Sequence, residues 1–171
     1  VLAYFIGSIP SGLIIGKTFF NTDVRQYGSK NIGATNTYRV IGLKAALPVF
    51  LCDALKGAAG VVLLSSYGPM YMILGGILAM MGHNWSIFLG FKGGRGVATG
   101  LGVLIALSPL VALICFLVWG IIVYFTKLVS LGSIVAAALV PVLMYVTGES
   151  YWFVGFGGLA ALFVIVRHWD N

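Results

Sequence analysis

Six apolar runs, at about residues 1–20, 43–66, 69–82, 97–126, 129–147 and 151–167, take up most of the chain. Runs of this length approach the ~20 residues a helix needs to cross hydrocarbon. Of 171 residues, 60% are hydrophobic and only 8% are charged, whereas a soluble domain has about a quarter of its residues charged. There is too little polar surface here to cover a water-soluble core. A membrane β-barrel would show alternating segments of ~10 residues, and the sequence has none. The expected fold is all-α: one polytopic integral membrane domain over residues 1–171.

Charge sets the number of spans. The fourth run is long for one crossing, and Ser108-Pro109 interrupts it. Proline lacks the N–H an interior turn needs but starts a helix well. Splitting there gives seven helices. The polar segments 21–42, 83–96, 126–128 and 167–171 then share one side, with Arg25, Lys30, Arg39, Lys92, Arg95, Lys127 and Arg167. The other side receives "SSYGPM", "LSP" and "TGES", without Lys or Arg. The positive-inside rule makes the first side cytoplasmic, with the N-terminus outside and the C-terminus inside. The net charge of +6 is thus a topology signal, and no nucleic-acid partner is expected. Tyr151 and Trp152 fall at the outer interface, where aromatics are favoured. Helices 69–82 and 97–108 come out shorter than the ~30 Å hydrocarbon core requires. The glycine-rich segment between them is therefore expected to dip into the membrane and line a polar pocket.

Three polar clusters meet on the cytoplasmic side. The first, "RQYGSKNIGATNTYR", offers Ser29, Asn31, Thr35, Asn36 and Arg39, whose N–H, O–H and guanidinium groups suit an anion. The second, "FKGGRGVATG", combines Lys92 and Arg95 with Gly93, Gly94 and Gly96. Glycines let backbone N–H groups close on a ligand, arginine grips phosphate in two places, and the helix opening at Val97 favours anions. An ordinary topology loop needs no such glycines, and neither dinucleotide nor P-loop spacing is present. The third, "RHWDN", carries His168, a candidate general base or phosphate donor. Asp53 and Lys56 lie three apart on one helix face, where pairing offsets the cost of intramembrane charge; they and His83 are expected to support the site. Asn84-Trp85-Ser86 matches a glycosylation sequon but sits on the cytoplasmic side. Ser8, Gly12 and Gly16 form a stripe for close helix packing. Cys52 and Cys115 lie in apolar runs and read as buried packing residues. No metal and no cofactor is expected.

"GSIPSG" (Gly7–Gly12), "GSKNIGATN" (Gly28–Asn36) with Arg39, "DALKG" (Asp53–Gly57), "GHNWSIFLGFKGGRGVAT" (Gly82–Thr99) and "HWDN" (His168–Asn171) occur in that order. Together they closely resemble the bacterial acylphosphate-dependent glycerol-3-phosphate acyltransferases of the PlsY type, over nearly the whole chain. The resemblance implies a seven-helix enzyme of the bacterial inner membrane. It would move a fatty acyl group from acyl phosphate to the 1-hydroxyl of glycerol 3-phosphate, giving lysophosphatidic acid, without acyl-CoA or acyl carrier protein. It also implies that Ser29 and Arg39 match the family's first functional motif, that Lys92–Gly96 matches the second, used for a phosphate-bearing substrate, and that His168 and Asn171 match the third. Arg95 stands where many members have Lys, and Trp169-Asp170 where many have Arg-Glu. The family continues past the Asn, so a short cytoplasmic tail is expected to be missing here. Transient contact with the soluble enzyme that makes acyl phosphate is a further implication.

On this reading Lys92, Arg95, Arg39 and Ser29 hold two phosphates, and Asn171 orients the carbonyl. The proton of the attacking hydroxyl goes to His168 or to the donor's own phosphate. A transporter for a phosphorylated solute would share the short helices and cations, but helices one to three and five to seven share no motif.

Overall fold

The computed structural model describes residues 1–168, so Asn171 and its neighbours Trp169 and Asp170 lie outside the described residues. Nine α-helices and three short 3₁₀ turns are present in that range, with no strand. The helices are α1 (Leu2–Ser8), α2 (Ser11–Phe20), α3 (Ala34–Val40), α4 (Leu43–Val62), α5 (Pro69–Asn84), α6 (Val97–Leu107), α7 (Pro109–Thr126), α8 (Val129–Val146) and α9 (Tyr151–His168). Five stretches are long and apolar enough to cross a membrane: α4 and α5, each with its following 3₁₀ turn, and α7, α8 and α9. The α1–α2 pair passes only as one bent unit, and α6, with 11 residues, is shorter.

The first apolar run is not one helix. Pro10 supplies no N–H, and the chain bends by 41° between α1 and α2. The break frees carbonyls that have no water to turn to in hydrocarbon. Lys56 Nζ donates to Ile9 O at 2.9 Å, and Ser86 Oγ donates to Ser8 O at 2.6 Å. Lys56 also pairs with Asp53 at 2.7 Å, and both side chains are buried. The ammonium therefore sits at the carbonyl end of α1, where the helix dipole favours a cation. Intramembrane charge in "DALKG" is the cap of a broken helix.

Boundaries elsewhere shift for similar reasons. Helix α5 runs on through His83 and Asn84, both buried, and a 3₁₀ turn carries the apolar stretch to Leu89. Helix α3 lies inside the polar segment 21–42, where a seven-residue helix rich in Thr and Asn gives little apolar periodicity. The small-residue stripe on α2 packs loop rather than helix: a Cβ on Gly12 would lie 1.8 Å from Ile32 O, and one on Gly16 2.7 Å from Thr22 O. The loop between α2 and α3 is thus laid directly on α2.

Two clusters form the core. Val61, Ile73, Met80, Val103, Leu107 and Phe156 join α4, α5, α6 and α9; Leu104, Val111, Ala112, Cys115 and Met144 join α6, α7 and α8. Outward positions are just as apolar: Leu110, Leu113, Leu117 and Ile121 leave more than half of their surface exposed along α7. A bundle solvated by lipid has no reason to change composition between inside and outside. Cys52 shows the consequence: it is exposed on α4, not buried as its apolar run suggests, whereas Cys115 is buried as expected; both are free thiols.

Candidate active site

The first loop is organised around Asn36, which is almost wholly buried. Its Nδ2 donates to Val24 O at 2.9 Å, Asn31 O at 2.9 Å and Tyr27 O at 3.2 Å, while its Oδ1 accepts from Ser29 N at 2.8 Å. Asn31 Oδ1 accepts from Gly33 N at 2.9 Å. The Asn36 amide, expected to meet substrate, is spent on its own loop, because a buried irregular segment must satisfy its backbone internally, whereas half-buried Asn31 commits only its carbonyl oxygen there. What the folded loop presents outward is Ser29, Thr35 and Arg39, all exposed. An ion triad pins its start: Asp23 accepts from Arg25 at 2.7 and 2.9 Å and pairs with Lys17 at 3.2 Å. The Arg25 guanidinium, against some opposing desolvation and with help from Lys17, holds the Asp23 carboxyl well below the usual carboxylate range.

The glycine-rich loop folds back over the end of α5. Gly93 N donates to Asn84 O at 3.1 Å and Gly94 N to His83 O at 3.0 Å. These N–H groups, expected to close on phosphate, instead satisfy the last carbonyls of a helix. The glycines are required for the seat itself. A Cβ on Gly93 would lie 2.0 Å from His83 O, and one on Gly94 would lie 2.1 Å from His83 Nε2. His83 meets the loop through its carbonyl and the Nε2 end of its ring. Its Nδ1 stands 3.7 Å from Asp53 Oδ1, so the buried Asp53–Lys56 pair lies directly beneath the loop's support. Gly96 turns the chain with φ +79° into α6. The first amides of that helix have no partner within it, which favours an anion there. Asn84 and Ser86 of the apparent sequon are 1% exposed and form part of this underside.

Cations from three parts of the chain converge above it. Arg95 is held below the ordinary guanidinium range first by partial burial, then by the charges of Arg167 and Arg39. Those two therefore stand close enough to repel it. Like charges gathered at one end of the bundle favour a multiply charged anion there. Lys92 lies exposed on the same loop. Arg167 was legible in the sequence only as a topology charge. In the structure its Nη2 donates to Gly94 O at 3.1 Å and its guanidinium lies 5.7 Å from the centre of the Trp85 ring. It ties α9 to the glycine-rich loop. Beside it, buried His168 donates from Nδ1 to Val164 O at 2.8 Å, leaving Nε2 of the neutral ring as an acceptor.

Below the cations opens an apolar groove between α6, α7, α8 and α9. Gly96, Val97 and Val164 form its mouth, and Leu104, Val140 and Gly157 lie at its far end. Val164 thus serves both parts of the site, since its carbonyl fixes His168 and its side chain lines the groove.

A helical bundle with irregular loops packed against its end, and a cationic head joined to an apolar trench, defines an integral membrane protein whose site suits an amphipathic anion. The family model described as "Glycerol-3-phosphate acyltransferase" matches residues 1–171, and the chain belongs to that family. It is 46% identical to a glycerol-3-phosphate acyltransferase of Fusobacterium nucleatum, over 100% of this chain and 89% of that one. It is 47% identical to glycerol-3-phosphate acyltransferase 2 of Moorella thermoacetica, over 94% of this chain and 84% of that one. The crystal structure of PlsY (YgiH), an integral membrane glycerol 3-phosphate acyltransferase, in its glycerol 3-phosphate form superposes with a TM-score of 0.93 at 39% identity, covering 99% of this chain and 86% of that one. The protein is a multi-pass membrane acyltransferase.

Proposed function

We propose that this acyltransferase joins an acyl group from acyl phosphate to the 1-hydroxyl of glycerol 3-phosphate, releasing lysophosphatidic acid and inorganic phosphate for phospholipid synthesis. The observation that carries the reading is the junction at Gly96, Val97 and Val164, where an apolar groove opens directly under Arg39, Arg95 and Arg167. An acyl phosphate has this shape and charge, and the phosphate of the acceptor is drawn to the same group of cations. The similar structures include one in a lysophosphatidic acid form.

Arg95, Arg39 and Lys92, with the hydroxyl of Ser29 and the first amides of α6, hold the two phosphates. Gly93, Gly94 and Gly96 shape the loop that carries them, and Thr35 lies exposed beside Asn36 at its partner. The acceptor oxygen attacks the acyl carbonyl carbon, the new C–O bond forms, and the bond from carbonyl carbon to phosphate oxygen breaks. Phosphate leaves with its charge already balanced, so positioning and electrostatics supply most of the acceleration. Asn171 is assigned to the carbonyl oxygen. Two groups can take the hydroxyl proton, His168 Nε2 and an oxygen of the departing phosphate. His168→Gln separates them, because it keeps a polar group in place but cannot accept a proton. A kcat that falls and loses its dependence on pH assigns the proton to His168; a modest fall with the pH profile kept assigns it to phosphate.

Transfer is direct. A covalent route needs an activated nucleophile, and Cys115 lies buried in an apolar core while Cys52 faces outward on α4. The seven-crossing count, with the N-terminus outside and the site at the cytoplasmic face, belongs to the same proposal, as does transient contact there with the soluble enzyme that makes the donor. Acyl-labelled acyl phosphate supplied alone tests the chemistry. Denatured protein should carry no label; stoichiometric label chased by glycerol 3-phosphate would replace direct transfer with an acyl-enzyme.

A further inference from the structure

The groove has a measurable depth. From Val97 to Leu104 on α6, and from Val164 to Gly157 on α9, its walls descend by about 10 Å at 1.5 Å per residue. There it stops. Leu104 packs with Val111, Ala112 and fully buried Met144, and a Cβ on Gly157 would lie 3.1 Å from both Met144 Sδ and Val140 Cγ1. An extended chain covers about 1.2 Å per bond, so roughly eight carbons fill that depth. Phe116, on one wall, is 40% exposed, so longer chains have a way out to lipid on that side.

Gly100 lies one turn below the mouth, and its missing side chain has a different cause from its neighbours'. On the faces joining α4 and α6, a Cβ at Gly57 or Gly102 would strike backbone oxygen at 2.1 or 1.8 Å. At Gly100 an added Cβ would meet the end of the Met80 side chain, Cε at 3.5 Å and Sδ at 4.0 Å, at ordinary contact distances. Helix packing does not demand glycine here. Its φ is not positive, so backbone conformation does not demand it either. What the absent side chain leaves is groove.

We propose that Gly100 is a specificity-determining residue of this acyltransferase: the space it leaves is the passage by which acyl chains longer than about four carbons enter the groove. The proposal rests on the acyl occupant assigned above. A chain that leaves lipid for an equally apolar groove gains nothing per methylene, so selection by length here must be steric. A side chain at position 100 then excludes long donors and spares short ones.

The test compares palmitoyl phosphate and butyryl phosphate as donors to glycerol 3-phosphate, for wild type, Gly100→Ala and Gly100→Leu in lipid nanodiscs. Gly100→Leu should lower kcat/KM for the palmitoyl donor by about tenfold or more, the scale of forcing extra atoms into occupied space, and leave the butyryl donor within about threefold. Gly100→Ala should fall between and keeps the test open should the leucine variant not fold. Equal loss for both donors, or no loss for either, overturns the gate. A second readout is thermal stabilisation by lysophosphatidic acid bearing a palmitoyl or a butyryl chain. If the wild type turns over neither donor, the acyl-phosphate reading fails on its own. Selective loss of palmitoyl lysophosphatidic acid binding in Gly100→Leu would still uphold the gate, and unchanged binding would reject it.

Discussion

Gly94→Ala is the substitution whose consequence the structure defines most sharply. The new Cβ would stand 2.1 Å from His83 Nε2, more than an ångström inside ordinary contact. His83 is buried among α5 and the Asp53–Lys56 pair and has little room to retreat. The loop must lift, which stretches the Gly94 N–H bond to His83 O and the Arg167 bond to Gly94 O. Arg95 is the next residue and moves with it. Displacement of a catalytic group by about 1 Å can cost on the order of 100-fold, and the two stretched bonds add on the order of 1–3 kcal/mol each when left unmade. Phosphate release should therefore fall by about 100-fold in kcat/KM, with a lower thermal unfolding midpoint in detergent. The obstacle is one side chain, so His83→Ala placed in the same chain should return about tenfold of the loss. Gly93→Ala provides the control: its Cβ would meet the backbone oxygen of His83 at 2.0 Å, which His83→Ala leaves in place. Near-normal activity of Gly94→Ala, or equal relief of both alanine variants by His83→Ala, would refute the seating of the loop on that ring.

Arg95→Ala and Lys92→Ala should each reduce kcat/KM by about 10- to 100-fold, the worth of a charge-assisted contact of ~1.5–3 kcal/mol. Lys127→Ala should do little, since Lys127 lies over the Tyr124 ring away from the loop; steady-state kinetics on the three variants decides. Lys56→Met should cost about 3–5 kcal/mol of stability by leaving Asp53 buried and unpaired. Adding Asp53→Leu should restore part of that, with the remainder tracing to Ile9 O, and thermal unfolding of the single and double variants measures both. The depressed Asp23 carboxyl contributes stability that is fully present above its ordinary value of 3.8 and is lost as pH falls through its lower folded value. Asp23→Asn should remove that acid-side pH dependence while lowering stability at neutral pH, as read from unfolding midpoints across pH.

Multi-pass helical architecture was legible because lipid imposes one simple demand, long apolar helices. Local chemistry was harder to read. "DALKG" announced a buried ion pair, but that Lys56 caps Ile9 O depends on the break at Pro10 being folded against α4, a tertiary fact. The glycines of "FKGGRG" were recognisable as obligatory, yet the close contacts that require Gly93 and Gly94 are with His83, 10 and 11 residues earlier in the chain, and Gly96 makes a left-handed turn beside Asn84. Asn36 offers hydrogen-bond donors as Ser29 and Arg39 do, and only the folded loop shows that it is turned inward while those two are exposed. Arg167 carried no motif of its own; its position next to His168 was the one available sign that it belonged to the site.

The central claim is that an activated acyl group bound to phosphate, and no other donor, feeds this site. Purified protein in detergent, where transport has no meaning, should be offered palmitoyl phosphate, palmitoyl-CoA or palmitoyl acyl carrier protein, each with and without glycerol 3-phosphate. The account predicts lysophosphatidic acid and inorganic phosphate in equal amounts from palmitoyl phosphate, only when glycerol 3-phosphate is present, and no product from the two thioesters. Product from a thioester donor, or folded protein that forms none from palmitoyl phosphate, would contradict it.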